Sequence, residues 1–180
     1  MTILFTIIAI IISIILLIGL IGLLLPKERV VSRQSYFDAS PEIVYKVVTN
    51  NEDYAYRTDV HEIRILEIDV DFEVWEEVAY NGTVIKFRTK EKTPHSFYSF
   101  DLESELFSGF WTAEFHETEN GGTHFIATEH IRIKNPYLKV FSYLFFNIGR
   151  FMETYQNDLK AKLKQYSKKP IKASLSQPTN

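Results

Sequence analysis

The chain has 180 residues, 20 basic and 23 acidic side chains, a net charge of −3 and no cysteine. Disulfides, thiolate metal sites and cysteine nucleophiles are excluded. The mixed, slightly acidic charge argues against a nucleic-acid partner, which calls for a basic excess.

No charged residue precedes Lys27, and residues 3–25 are an Ile/Leu-dominated run whose polar interruptions are Thr6 and Ser13. About 20 helical residues cross a ~30 Å hydrocarbon core, so this run predicts a membrane-spanning helix. A cleaved signal would have a basic start, a shorter apolar stretch and a small-residue exit. Here the start is Met1-Thr2 and the exit is Leu24-Leu25-Pro26. The expectation is an uncleaved anchor over residues 1–26, contacting the membrane through residues 3–25. No second stretch of this length follows, which excludes a polytopic transporter. Gly19 and Gly22 are three apart rather than the four of a small-xxx-small seam, and read as tolerated glycines rather than a dimer face. Lys27, Arg29 and Arg33 flank the C-terminal end, so the positive-inside rule predicts a cytoplasmic domain.

After a linker over 27–30, a domain is expected over 31–166, about one domain by length and large enough for its own core. Val31–Phe37 reads as a strand. Ser40 then caps a short helix with Pro41 at its first position, running to Val48 and ended by Asn50-Asn51. Glu52–Arg57 suggests a second short helix. From Val60 onward the period changes to two, with strands over 60–69, 72–80, 83–92, 95–105, 109–118 and 123–134. Their connections carry Asn81-Gly82, Thr93-Pro94, Ser108-Gly109 and Asn120-Gly121-Gly122. Asn81-Gly82-Thr83 matches a glycosylation sequon but has a better physical reason as a hairpin turn. Six short-looped strands predict an antiparallel meander with one packed face. A long helix follows over 136–166, where Leu138, Phe141, Phe145, Ile148, Met152, Tyr155, Leu159 and Leu163 make one apolar stripe. Its first half is apolar all round, so Val140, Leu144, Phe146 and Phe151 need cover from either the short helices or a bilayer. Residues 167–180 read as a disordered tail.

The order strand, short helices, six-stranded meander, long helix resembles the START/SRPBCC superfamily, in its polyketide cyclase/dehydrase-like and lipid-transport branch. The resemblance covers about residues 31–166. It rests on the order and spacing of Ala39-Ser40-Pro41-Glu42-Ile43-Val44-Tyr45, Trp75-Glu76-Glu77 and Phe107-Ser108-Gly109-Phe110-Trp111, then on Gly121-Gly122-Thr123-His124-Phe125, Thr128-Glu129 and Leu159-Lys160-Ala161-Lys162-Leu163-Lys164. Many members carry a Trp after the first helix, where this chain has Asp53-Tyr54-Ala55-Tyr56-Arg57, so the cavity mouth does not carry over. The resemblance implies an α+β helix-grip fold, a curved antiparallel sheet around a long C-terminal helix with a cavity between them. It also implies a lipid, sterol, polyketide or other apolar ligand, with cyclisation or dehydration in a minority of members.

Strand alternation sorts the side chains. Ile85 and Phe87, then Tyr98 and Phe100, then Trp111 and Phe115, then Phe125 and Glu129 fall on the more apolar faces. With Phe141, Phe145, Ile148, Met152 and Tyr155 of the last helix they form the expected ligand-binding lining. Glu129 is the one acid in that set. Facing an apolar cavity, its pKa should rise, the usual condition for an acid or base. Trp75 reads as core or cavity wall. Glu76-Glu77, Glu103 and Glu105 read as solvated strand faces. Lys86, Arg88 and Lys90 suit either solubility or anionic headgroups. His116 and His124 fall together across a hairpin, but two imidazoles do not make a metal site, and no cofactor motif is present.

The sequence therefore predicts a membrane-anchored binding protein for a hydrophobic small molecule or lipid, with Glu129 or a Tyr hydroxyl fixing the ligand's polar end. One alternative is a cyclase/dehydrase-like enzyme with Glu129 as acid or base, favoured by a cavity-facing Tyr or a second carboxylate beside it. Another is a ligand-free interaction module at the membrane. No catalytic residue, metal or cofactor is assigned, and the oligomeric state is left open.

Overall fold

A computed structural model of the chain describes residues 1–167. All but the first residue of the expected tail lies outside the described residues. Helix α1 (Thr2–Leu24) leads through a short turn into β1 (Glu28–Phe37), followed by α2 (Pro41–Val48). The meander is β2 (Val60–Ile68), β3 (Glu73–Ala79), β4 (Val84–Thr93), β5 (Phe97–Glu103), β6 (Ser108–Glu117) and β7 (Thr123–Arg132). Two helices, α3 (Pro136–Phe145) and α4 (Ile148–Ser167), end the fold. Strand β1 takes up most of the expected linker, because Glu28 already pairs with Arg132.

The seven strands form one antiparallel sheet in the order β1-β7-β6-β5-β4-β3-β2. Strand β1 closes onto β7, and the meander supplies the rest. Period-two alternation places Trp75, Phe87, Tyr98, Leu102, Trp111, Ala113, Phe115, Phe125, Ala127 and Ile131 in the core, with Val44 and Val47 of α2 and Ile148, Met152, Leu159 and Leu163 of α4. Helix α2 begins at Pro41 after an extended Ser40, but the Ser40 hydroxyl makes no cap hydrogen bond. The Asn81-Gly82 turn has Gly82 at φ +83°, and the Asn81 side chain accepts from the Thr83 amide. A glycine supplies that left-handed conformation without strain.

Two expectations about helices are corrected. The stretch Glu52–Arg57 is turns, not helix. Its polar groups serve tertiary contacts instead: Asp53 pairs with Lys162 and Arg57 with Glu77, while the neighbouring Thr58 donates to Asp158. The long C-terminal helix is broken at Phe146-Asn147. Phe146 is extended, with φ −113° and ψ 106°. The Asn147 side chain accepts from the Arg150 amide and starts α4 as a cap. The Arg29 guanidinium donates to the Ser142 carbonyl at 2.8 Å and to the Phe146 carbonyl at 3.1 Å, satisfying the end of α3. The apolar stripe is continuous in sequence, but its first turns leave the sheet.

Helix α3 packs on α1 instead. Gly19 and Gly22 are the buried positions of α1, under Tyr137 and Pro136. They are thus a close-approach surface within the chain, rather than merely tolerated residues. A Cβ at Gly22 would overlap the Pro136 carbonyl, which is backbone and cannot move aside. Gly22→Ala is expected to weaken the α1–α3 contact by about 1–3 kcal/mol, seen as faster hydrogen exchange of the α3 amides. Unchanged exchange would show that the two helices do not depend on this contact.

Candidate functional site

The concave face of the sheet and α4 enclose a lining of aromatic rings. Trp75 stacks on Phe87 at 5.2 Å, and Phe100 on Trp111 at 4.9 Å. Tyr155 meets Trp111 edge-on at 6.2 Å, and Phe125 lies 5.3 Å from Phe115. Of the side chains expected to line a site, Phe87, Tyr98, Trp111, Phe115, Phe125, Ile148 and Met152 are buried here. Ile85, Phe100, Tyr155 and Glu129 face the same interior but keep partial exposure. Ile63 and Ile65 on β2 do the same. These side chains lie on the inward face where the packing of sheet against α4 leaves partial solvent contact.

Phe141 and Phe145 are not there. They stand 59% and 70% exposed on α3, away from the sheet, so their expected place in the lining is corrected. The physical reason is the helix break at Phe146-Asn147, which turns α3 toward α1.

A charged cluster sits among the rings. Arg57 donates two hydrogen bonds to Glu77, at 2.5 and 2.8 Å, with side chains only 22% and 12% exposed. The Trp75 indole N–H also donates to Glu77 at 3.3 Å. Arg57 stands over the Tyr155 ring at 5.5 Å, and the Tyr56 and Tyr155 hydroxyls are neighbours. Burial pushes Tyr56 up to about 12, with Arg57 opposing it, and raises Tyr155 well above the usual phenol range.

Glu129 faces this cluster from β7, between Val31 of β1 and Trp111 of β6. Among the described residues it has no hydrogen-bonding partner. Its pKa is pushed up to about 7, first by burial and then by the negative charge of Glu77. Curvature explains the meeting: three strands separate β7 from β3 in the sheet, yet the charge of Glu77 bears on Glu129 from across its inner face. The chain thus holds one carboxylate neutralised by arginine and another left to titrate near neutrality.

A second polar group lies at the start of β3. Asn51 donates to Glu73 at 3.0 Å, and the Glu73 amide donates to the Thr89 hydroxyl at 3.2 Å. Burial raises Glu73, while the Asn51 hydrogen bond opposes it. The buried Tyr98 hydroxyl has no partner of good geometry among the described residues.

Sequence reasoning placed Glu129 inward but missed Glu77, Arg57 and Glu73. Glu77 was legible: Trp75 faces inward, so alternation puts Glu73 and Glu77 on the same face, and treating Glu76-Glu77 as one solvated pair hid it. Arg57 was not legible, because nothing in a loop sequence says which strand it will reach. Among the described residues no three His, Asp or Glu side chains converge as a metal site requires. His116 and His124 are register partners on the convex face, bonded to Glu114 and Gln34. Two surface hollows of about 530 and 510 Å³ lie on the outer face of α4 and on the convex face of β4–β6; neither opens between sheet and α4.

The architecture is the helix-grip fold of START/SRPBCC proteins. It is shared with the Zhui aromatase/cyclase from Streptomyces sp. R1128, at TM-score 0.69 and 13% identity over 78% of this chain and 96% of that one. A START superfamily protein from Mycobacterium smegmatis superposes at TM-score 0.60 and 15% identity, over 76% and 98% of the two chains. A norcoclaurine synthase from Thalictrum superposes at 0.64 and 8%, over 78% and 96%. No protein-family profile matches the sequence, and no curated protein matches it. Likeness at this level of identity establishes the fold and leaves the activity to the site.

Proposed function

We propose that this chain is a membrane-anchored binding protein for a hydrophobic small molecule or lipid with a polar end. Residues 1–26 form the anchor and the helix-grip domain follows from β1, on the cytoplasmic side favoured by Lys27, Arg29 and Arg33. Helix α1 supports the anchor: it is 23 residues long, with mean hydropathy 3.3 and 6% of its apolar window buried. At 1.5 Å per residue it reaches about 35 Å, enough to cross a ~30 Å core. The observation that carries the binding reading is an aromatic inner face of the sheet converging on one unpartnered, partly exposed carboxylate. The apolar body of a ligand would lie against Ile85, Phe87, Tyr98, Phe100, Trp111, Phe115, Phe125, Ile148, Met152 and Tyr155. Glu129 would take the polar end, its carboxyl a donor below pH 7 and an acceptor above it.

A second reading is favoured by one observation. A carboxyl that titrates near 7, beside a second carboxylate and two tyrosines, exchanges protons at neutral pH. That arrangement suits a cyclase/dehydrase-like step with Glu129 as acid or base.

Native mass spectrometry of the full chain from its host membrane, with extraction of whatever co-purifies, tests both. The expected result is a discrete apolar species whose occupancy falls several-fold in Glu129→Gln. Species differing by one water, converging to the heavier form in Glu129→Gln, would move the assignment to the enzyme. An empty protein that also refuses fatty acids, sterols and polyketides would overturn both readings and leave a ligand-free interaction module.

A further inference from the structure

Helix α3 and the first turn of α4 present a second apolar surface. Phe141, Leu144, Phe145, Phe146 and Phe151 are each between 45% and 70% exposed. Their rings come in pairs, Phe141 with Phe145 at 4.7 Å and Phe146 with Phe151 at 4.9 Å. Soluble surfaces do not usually carry so many large apolar side chains together.

The position of α3 identifies the occupant. Its N-terminal end rests on Gly19 and Gly22, so it meets α1 in the last two turns. Its C-terminal end is held by Arg29, which bonds two carbonyls and stands over the Tyr143 ring at 4.5 Å. The surface is therefore fixed in place, and it continues the exposed apolar surface of α1. Charge agrees. No Asp or Glu occurs from Lys134 to Met152, nor anywhere before Glu28. Exposed Lys27, Lys134 and Arg150 stand where the chain leaves α1, enters α3 and enters α4. Apolar side chains framed by snorkelling cations suit an anionic bilayer surface. A second copy would cover the apolar patch but leaves the basic frame without a counterpart.

We propose that α3 and the start of α4 insert into the acyl–headgroup boundary beside the C-terminal end of α1, giving the domain a two-part footing on one leaflet. This rests on α1 being the anchor. Ile148 and Met152 run from that footing directly into the core, so the helix packed against the aromatic inner face is seated at the bilayer surface.

The absence of cysteine makes the test clean. Single variants Leu144→Cys and Phe145→Cys carry an environment-sensitive fluorophore in the full chain. Ile11→Cys, midway along α1, and Glu103→Cys, exposed on the sheet, serve as references. The protein is reconstituted into phosphatidylcholine/phosphatidylglycerol vesicles holding lipids spin-labelled at shallow or deep acyl positions. Positions 144 and 145 are expected to be quenched at least two-fold, more by the shallow label. Position 11 should respond more to the deep label and position 103 to neither. Quenching at 11 with 144 and 145 behaving like 103 overturns the footing and leaves the anchor standing. Shielding of 144 and 145 from water without quenching by lipid assigns the surface to a protein partner and also overturns it. No quenching at 11 removes the anchor and the footing together.

Discussion

Arg57→Met is expected to destabilise the domain by about 3–5 kcal/mol, because it leaves the Glu77 carboxylate buried without its cation. The wild-type pair is bidentate and mostly withdrawn from water, with the Trp75 indole as the other donor to Glu77. One indole N–H does not replace a guanidinium. The double variant Arg57→Met/Glu77→Leu should recover most of the loss, since two apolar side chains of similar volume leave no uncompensated charge. A double-mutant cycle by urea unfolding in detergent micelles checks this. A cost under about 1 kcal/mol for the single variant would mean that the pair behaves like an exposed salt bridge, and the enclosed charged cluster would have to be abandoned. The same substitution has a second consequence. With Arg57 gone, Glu77 is no longer neutralised, so it should raise Glu129 further and move any pH-dependent binding upward.

Glu129 should make the wild-type protein lose stability as pH rises. Its pKa goes from the ordinary 4.5 in the unfolded chain to about 7 in the folded one. The folded state therefore holds the proton more tightly. The stabilisation from that proton is fully present below pH 4.5, declines as pH rises, and is gone above pH 7. Between pH 5 and pH 8 the linkage amounts to about 2.5 kcal/mol. Glu129→Gln keeps the shape and removes the titration. The stability of the variant relative to wild type should thus increase by about that amount across the interval. Denaturation curves at pH 5, 6, 7 and 8 for both proteins measure it. Parallel profiles would show that Glu129 does not titrate in this range, and the acid–base reading would fall with it. A bound ligand that accepts from the protonated carboxyl should shift the decline to higher pH, and one that donates to the carboxylate should shift it lower.

Much of the fold was legible in the residues. Period two from Val60 onward, punctuated by Asn81-Gly82 and Gly121-Gly122, was enough to define six strands, because backbone pairing and one-sided burial leave a local imprint. Alternation on the last strand put Phe125, Ala127 and Glu129 inward for the same reason. Ser40-Pro41 marked the start of α2, although the serine contributes its extended backbone rather than a side-chain bond. The long uncharged run over residues 3–25 was evident from composition alone.

The apolar stripe from Leu138 to Leu163 misled, because periodicity records which residues avoid water and not what they avoid it against. The five residues from Ile148 to Leu163 face the sheet, while Leu138, Phe141 and Phe145 lie on α3, the helix that packs on α1. The break is written in Asn147, whose side chain caps α4, but a single Asn is a weak signal amid a continuous pattern. Gly19 and Gly22 looked merely tolerated until Pro136 and Tyr137 were seen above them. Local sequence thus determined the strands, the inward face and the apolar helix. Only the tertiary structure decided that Arg57 reaches Glu77, that Glu77 acts on Glu129 across three intervening strands, and that α3 leaves the sheet to pack on α1. Those decisions depend on sheet curvature and on contacts between residues distant in sequence, for which a chain carries no periodic record.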